Sequence, residues 1–475
     1  MTTPPRHRFQ PGTVIDGYRL DERIHHGSMA SIWRVTAPGG GPTPLVMKIP
    51  RLGEAEDPAA IVAFEVEVMI LPTLSGNHTP RYVAAGGLAA QPYIVMEWID
   101  GRSLRAQLDR MPLPDEEVAS VGARVAGALH DIHSQHVIHL DVKPSNVMFR
   151  ESGEAVVIDF GVSRHDRLPD LLAEEFRIPI GTGPYISPEQ VRRIRNDPRS
   201  DIFALGVVLY HLSTGERPFG NPTSVAGLRR RLYRSPSPPR ALREDYPEWL
   251  QEIVLKCLEV DPNRRYQTAA QLAFELQHPD RVVLTEAAAR RRREGIWAST
   301  KRYFRMLGEE PDPRQSVAGH LARAPIVVAA IDLAQRSEAL NEAMRANLRD
   351  ILRAAPAARL ACVMVLKTSR IGMDVTEDEE GRNLHVKGLV DLNHWARPLG
   401  LPPNRITYHV LEAPDAGAAI VEFAESNHVA QVVVGSRGSS TLRRYLGSVS
   451  SQVVALANCT VTVVKTDDRS ELAES

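Results

Sequence analysis

The apolar spacing of this chain changes texture twice, and each texture admits a different architecture. Residues 13–50 are strand-rich, with Ile24–Ile32 reading as a turn between two strands and Leu45–Ile49 as a short apolar strand. Residues 58–74 carry Ile61, Phe64, Val68 and Leu71 at helical spacing, and Gln91–Glu97 reads as a buried strand. From Pro114 helices dominate, at Val118–Ser134, 200–213, 226–234, 247–259 and 267–277, parted by Pro- and Gly-rich turns. From Pro325 to Lys465 strands at 326–331, 359–366, 405–410, 430–434 and 460–464 alternate with helices at 336–354, 384–398, 415–427 and 446–457. Such alternation marks an open parallel sheet with helices on both faces. A chain of 475 residues is too long for one core. The expected fold class is multidomain: a bilobal α+β unit at 14–278 (small lobe 14–98, large lobe 99–278), a basic linker at 279–323, and an α/β domain with a parallel open sheet at 324–466.

Composition narrows the partners. A net charge of -1 gives no reason to expect nucleic acid or an anionic membrane. Cys257, Cys362 and Cys459 stand far apart with no CxxC pair, so they read as small buried hydrophobes in a reducing compartment. Met1–Gln10 is polar, and no apolar stretch approaches the roughly 18 to 20 residues that span a bilayer. The expectation is a cytoplasmic chain without a transmembrane segment. Thr285–Leu307 has helical character, with Arg290–Arg293 and Trp297, Tyr303, Phe304 and Leu307 along it. A solvated connector that packs an aromatic edge on a domain is favoured there over a basic amphipathic segment that touches a membrane or a partner.

The densest chemistry lies in His139-Leu140-Asp141-Val142-Lys143-Pro144-Ser145-Asn146, followed by Ile158-Asp159-Phe160-Gly161. Phosphoryl transfer from a nucleotide needs a carboxylate to orient the attacking hydroxyl and take its proton. It needs an ammonium to offset charge on the moving group, and oxygen ligands to hold a divalent cation. Asp141, Lys143 and the pair Asn146 and Asp159 supply those groups in that order. Lysine is scarce here, seven among 57 basic residues. A position that keeps lysine, such as Lys48 or Lys143, is then one where an ammonium is wanted rather than a guanidinium. His130, His133, His136 and His139 cluster by number, but no Cys or spare carboxylate completes a metal set, and a structural role is favoured.

These strings resemble the catalytic and metal-binding loops of eukaryotic-type serine/threonine protein kinases, over residues 14–278. The resemblance implies an enzyme that uses ATP and Mg²⁺ (Mn²⁺ as an alternative) to phosphorylate Ser or Thr of protein substrates. It makes Asp141 the catalytic base and Lys143 its partner, with Asn146 and Asp159 as metal ligands. Lys48 in Val46-Met47-Lys48-Ile49 resembles the lysine that holds the α- and β-phosphates, and Glu67 its ion-pair partner. Met96-Glu97-Trp98-Ile99 resembles the gatekeeper and hinge, placing Glu97 and Ile99 at adenine. Ile24, Gly27 and Ile32 belong to the phosphate lid. Gly181–Glu189 resembles the substrate-docking loop, with Thr182 the residue that accompanies Lys143 in Ser/Thr enzymes. Glu189 would pair with Arg265, and Asp201 would brace the catalytic loop.

Two departures stand out. Of three glycines expected in the lid only Gly27 remains, with His25 and Ala30 in the other places, which predicts either a stiffer lid or an imidazole near the triphosphate, and low turnover. Leu140 replaces the arginine that usually gathers a phosphorylated activation loop, and Val162–Ile180 offers only Ser163 as a hydroxyl. A non-RD kinase that does not depend on activation-loop phosphorylation is expected.

In the C-terminal region Gly435-Ser436-Arg437-Gly438 follows a strand, and Gly447-Ser448 opens the next helix. Small residues there let backbone amides cradle phosphate. The segment 324–466 resembles universal stress proteins, with Asp332 in the place that meets ribose or adenine and a Gly438–Gly447 spacing one residue shorter than usual. An adenine-nucleotide site and a nucleotide-free dimerisation domain both fit, and the family expectation is a homodimer through this domain. For the whole chain the leading reading is a Ser/Thr kinase with a stress-sensing or dimerising module. A nucleotide-binding pseudokinase scaffold is the alternative, and a small-molecule phosphotransferase is disfavoured by Thr182 and the docking loop.

Overall fold

The computed structural model describes residues 9–27, 29–41, 43–51, 58–292, 302, 325–333, 337–368, 383–436 and 448–465. In the small lobe β1 (Val14–Ile15), β2 (Tyr18–His26), β3 (Ala30–Thr36), β4 (Leu45–Pro50), β5 (Tyr82–Gly86) and β6 (Tyr93–Glu97) form one antiparallel sheet, ordered β1-β2-β3-β4-β6-β5. Strand alternation sorts the side chains. Leu20, Trp33, Met47 and Val95 pack on one face. Val46, Ile94 and Met96 join the main core on the other, the face that Lys48 shares with Val46.

Helix α1 (Pro58–Ile70) corrects the expectation of a single apolar face. Val62, Phe64, Val66 and Ile70 enter the main core, whereas Ile61 belongs to the apolar cluster of the C-terminal domain with Ile406 and Val410. Val68, assigned to the expected face, is only partly buried. The helix is covered on two sides because a second domain lies against it.

The large lobe is built on α2 (Asp115–Ser134), α3 (Leu171–Glu175), α4 (Arg199–Thr214), α5 (Glu248–Cys257) and α6 (Ala269–Gln277). Asp115, Glu116 and Glu117 sit in the first turn of α2, where they complement the helix dipole, and Val118, Val121, Val125, Leu129 and Ile132 form its buried stripe. Helix α4 is buried from Ser200 to Ser213 and stops at Gly215, whose φ of 77° gives a left-handed cap. The helix expected at 226–234 is shorter, ending at Arg229 in a 3₁₀ turn. Small antiparallel ladders carry the two polar loops. His139–Asn146 runs from strand Val137–Ile138 into strand Val147–Arg150, and Asp159 follows strand Ala155–Val157. Strand Gly101–Ser103 closes this ladder so tightly that a Cβ on Gly101 would lie 1.8 Å from the Phe149 carbonyl oxygen.

In the C-terminal domain β7 (Ile326–Ala330), β8 (Arg359–Lys367), β9 (Ile406–Ala413), β10 (Gln431–Ser436) and β11 (Thr460–Lys465) make a wholly parallel sheet, ordered β9-β8-β7-β10-β11. Helices α7 (Glu338–Ala354) and α8 (Leu384–Ala396) cover one face, and α9 (Ala416–Ser426) and α10 (Ser448–Leu456) the other. The helix expected over 285–307 is not continuous. Thr285 caps a single turn at Glu286–Ala289, and Arg290 is extended; residues 293–301 and 303–307 lie outside the described residues. Among the described residues no helix is long and apolar enough to cross a membrane.

Candidate active site

Lys48 is brought from β4 to two carboxylates at once. Its Nζ lies 2.5 Å from Glu67 Oε2 on α1 and 2.8 Å from Asp159 Oδ1. Burial alone would lower the ammonium pKa; the Asp159 and Glu67 charges outweigh it and hold the group protonated well above the ordinary lysine range. The Lys48 charge in turn draws the Asp159 carboxyl down to about 2. Asp159 has a φ of 70°, a costly conformation for a non-glycine residue, kept here at a functional turn.

Across the cleft, Lys143 Nζ donates to Asp141 Oδ2 at 2.6 Å and to Thr182 Oγ1 at 2.8 Å. The other Asp141 oxygen accepts the Thr182 N–H at 2.9 Å. Asn146 Nδ2 donates to the Asp141 carbonyl and to its carboxylate, at 3.1 and 3.2 Å. The amide nitrogen is thus committed, and Oδ1 is the atom suited to a hard cation, which takes oxygen ligands. With the nearby Asp159 carboxylate, the donor set fits a divalent metal beside a triphosphate.

The loop is fixed from below. Asp201 accepts the His139 N–H at 2.8 Å, the Leu140 N–H at 2.7 Å and His133 Nε2–H at 2.8 Å. Burial pushes its carboxyl up, but these donors hold it below the ordinary range. His139 donates from Nε2 to the Ile158 carbonyl at 3.1 Å and accepts the Asp141 N–H on Nδ1 at 3.2 Å, tying the two loops together. His133 and His139 therefore have structural partners, and no metal-holding group of side chains occurs among the described residues. Glu189 and Arg265 form a buried bidentate pair at 2.8 and 2.9 Å.

Residues 18–278 match the protein kinase domain family, more than half of the chain. The chain belongs to the protein kinase family. Residues 324–465 match the universal stress protein family. Similar curated proteins include the serine/threonine-protein kinase PknB of Mycobacterium leprae, 34% identical over 289 residues, 58% of this chain and 44% of that one. PknB of Mycobacterium tuberculosis is 34% identical over 277 residues, 56% and 43% of the two chains. A probable serine/threonine-protein kinase of Clostridium perfringens is 32% identical over 215 residues, 45% and 31%. The chain matches less than half the length of these relatives.

In the kinase hinge, the Glu97 side chain is held by Arg150 at 2.6 Å, and its N–H donates to the Arg81 carbonyl at 2.9 Å. In the lid, Ile24 is exposed and Ile32 half-buried on either side of Gly27. The His25 ring folds back over the lid, so that a Cβ on Gly27 would lie 3.2 Å from His25 Nε2. Ser163, the hydroxyl expected as an acceptor, is buried and donates to the His139 carbonyl at 3.0 Å.

Sequence reasoning missed two residues that brace the kinase site. Gln190 Nε2 donates to the Leu140 and Ile180 carbonyls at 2.8 and 2.9 Å. Arg195, itself buried, donates to the Val162 carbonyl at 2.9 Å and to Asp170 at 3.1 Å.

In the C-terminal domain Asp332 and Gly435 come together at the carboxyl ends of neighbouring strands, Ala330 pairing with Val434. This is the switch point of the sheet, where its connections turn to opposite sides. Ser448 begins α10, while Gly438 and Gly447 lie outside the described residues. Gly435 has a packing reason to be glycine: a Cβ would lie 3.0 Å from Leu340 and 3.2 Å from the Met344 sulfur.

Proposed function

We propose that this chain is an ATP- and Mg²⁺-dependent serine/threonine protein kinase of the non-RD type. The observation that carries the reading is the bridge Asp141–Lys143–Thr182, at 2.6 and 2.8 Å. It sets an acceptor carboxylate and an ammonium beside the docking loop, where a protein hydroxyl would lie. ATP would supply the phosphoryl group and leave as ADP, and Asn146 and Asp159 would hold a divalent cation that offsets the phosphate charge. Asp141 orients the acceptor hydroxyl and takes its proton. Lys143 stabilises charge on the group in transit, and Lys48, fixed by Glu67, positions the phosphates. Ile24, Gly27, Ile32, Glu97 and Ile99 line the nucleotide, and Thr182 positions the substrate segment. Leu140, buried and apolar, leaves no arginine beside Asp141 to read a phosphate.

The C-terminal domain is proposed to bind an adenine nucleotide at Asp332, Gly435, Gly438, Gly447 and Ser448, and to form a homodimer. Support comes from the switch-point geometry and from the family match. The deciding experiment is autophosphorylation with labelled ATP and Mg²⁺, wild type against Asp141→Asn, with mass spectrometry of the acceptors. Ser or Thr labelling that vanishes in the variant supports the reading. ATP binding without labelling would favour a pseudokinase scaffold.

A further inference from the structure

The segment from Val162 to Gly181 is gripped at three points by other parts of the chain. Arg195 holds its start through the Val162 carbonyl and Asp170, and Asp170 caps α3 by accepting the Ala173 N–H at 3.3 Å. Gln190 holds its end at the Ile180 carbonyl. The third grip comes from the C-terminal sheet. Arg359, the first residue of β8, engages the Glu174 carboxylate through both terminal nitrogens, Nη1 lying 3.2 Å from Oε2, and donates to Thr407 Oγ1 at 2.8 Å. His409 on β9 places Nδ1 2.9 Å from Glu175 Oε1 and Nε2 3.2 Å from Glu174 Oε2. Asn427 Nδ2 donates to the Glu174 carbonyl at 3.3 Å.

His409 is fully buried, with a carboxylate at each ring nitrogen, so the doubly donating imidazolium is the form that satisfies both. The charged groups facing it are Glu174 and Glu175 from α3 and Glu65 from α1. Thr407 lies beside it on β9, and Phe423 packs on the ring from α9 at 4.9 Å. The same domain covers α1 through Ile61. Both moving parts of a kinase switch, the helix that carries Glu67 and the segment that follows Asp159, thus rest on one surface.

We propose that Arg359 and His409 are positioning residues for phosphoryl transfer: by gripping Glu174 and Glu175 they hold the activation segment and α1 where Lys48, Glu67 and Asp159 meet, so that the C-terminal domain activates the kinase domain in cis. This rests on the kinase reading above. A phosphate gathered by arginines orders such segments in kinases switched by phosphorylation. Here two glutamates of the segment meet an arginine and an imidazolium of the neighbouring domain. The grip reaches the chemistry through the chain itself. Glu174 lies between Asp170, tied through Arg195 to Val162, and Thr182, which touches both Asp141 and Lys143.

The test uses the full chain and steady-state transfer of label from ATP to a generic protein acceptor. The variants are Glu174→Arg, Arg359→Glu and the two combined, with Asp141→Asn as the blank. Each single reversal should lower kcat roughly 5- to 100-fold while ATP affinity, read by direct titration, stays at the wild-type value. The double exchange should restore most of the loss, and it is the fall in kcat at unchanged ATP affinity in folded protein that a merely structural role would not give. Should a reversal melt below the assay temperature, His409→Gln and Glu174→Gln, which keep the shape, carry the same expectation. Folded single variants with wild-type kcat, or a double exchange as slow as the singles, would overturn the inference. If the wild type itself does not exceed the Asp141→Asn blank, the kinase reading fails first. Hydrogen exchange of residues 162–180 in the same variants then decides the inference alone, and protection that is unchanged by the reversals sinks it.

Discussion

Glu67 and Lys48 meet at 2.5 Å although α1, which carries Glu67, is packed from two sides by different domains. The contact therefore reports how α1 is seated as well as where Lys48 points. Glu67→Gln keeps the shape and removes the charge that holds Lys48. We expect kcat/KM for ATP to fall about 100-fold with little change in melting temperature. Lys48→Met should fall at least as far. A Glu67→Gln variant at wild-type kcat/KM would show that the pair is not used in turnover.

Asp201 is the foundation of the catalytic loop, with three donors converging on a carboxylate that water does not reach. Asp201→Ala leaves two backbone N–H groups and His133 without their acceptor, and stability should drop by about 3 kcal/mol. Because the folded carboxyl is held below its ordinary 3.8, its contribution is present above that pH and fades as pH falls through the lower folded value. Denaturant titration of wild type and variant should show their difference shrinking in acid.

Ser163 offers no acceptor oxygen to a second kinase molecule, being 2% exposed and bonded to the His139 carbonyl. Mass spectrometry of autophosphorylated protein should find no phosphate there. Stoichiometric labelling of Ser163 would mean that the segment opens far from the arrangement described.

The grip on α3 carries a definite pH dependence. Burial lowers the His409 pKa, but Glu174 and Glu175 outweigh it and lift the group from 6.5 to about 9. Its contribution is complete below pH 6.5 and is lost as pH rises through 9. Burial and the Glu175 charge push Glu65 up to about 8, so keeping it in place costs stability progressively as pH rises from its ordinary 4.5 to that value. Glu174, held below its ordinary 4.5, acts in the opposite sense and weakens the contact only as pH falls below that value. Thermal stability of the full chain should therefore decline from neutrality toward pH 9. His409→Gln should flatten that decline, and an equal slope in the variant would assign the titration elsewhere.

How legible each part was follows from how local its contacts are. Asp141, Lys143 and Asn146 stand within one loop, the last two both bonded to Asp141, so their grouping reads directly from a short string. The parallel sheet was legible because each strand and helix carries its own periodicity; the order of its strands was not read from the sequence. The two-sided burial of α1 was not, because Ile61 meets residues of another domain. Nor was the grip on Glu174 and Glu175, whose partners lie 185 and 234 residues away. One sign was present: Thr407 and His409 put polar groups at alternate, buried positions of β9, a cost that calls for a buried partner.

The place of β9 in the sheet has a consequence for assembly. A parallel sheet ends in two strands with unpaired backbone groups, and either can recruit another chain. In this protein β9 is one of those ends, and α1 and α3 of the same polypeptide lie against it. Among the described residues β11 is the other, with no strand beyond it. Because the β9 border is already taken up by elements of its own chain, another polypeptide could pair with β9 only after the C-terminal domain had left the kinase lobe.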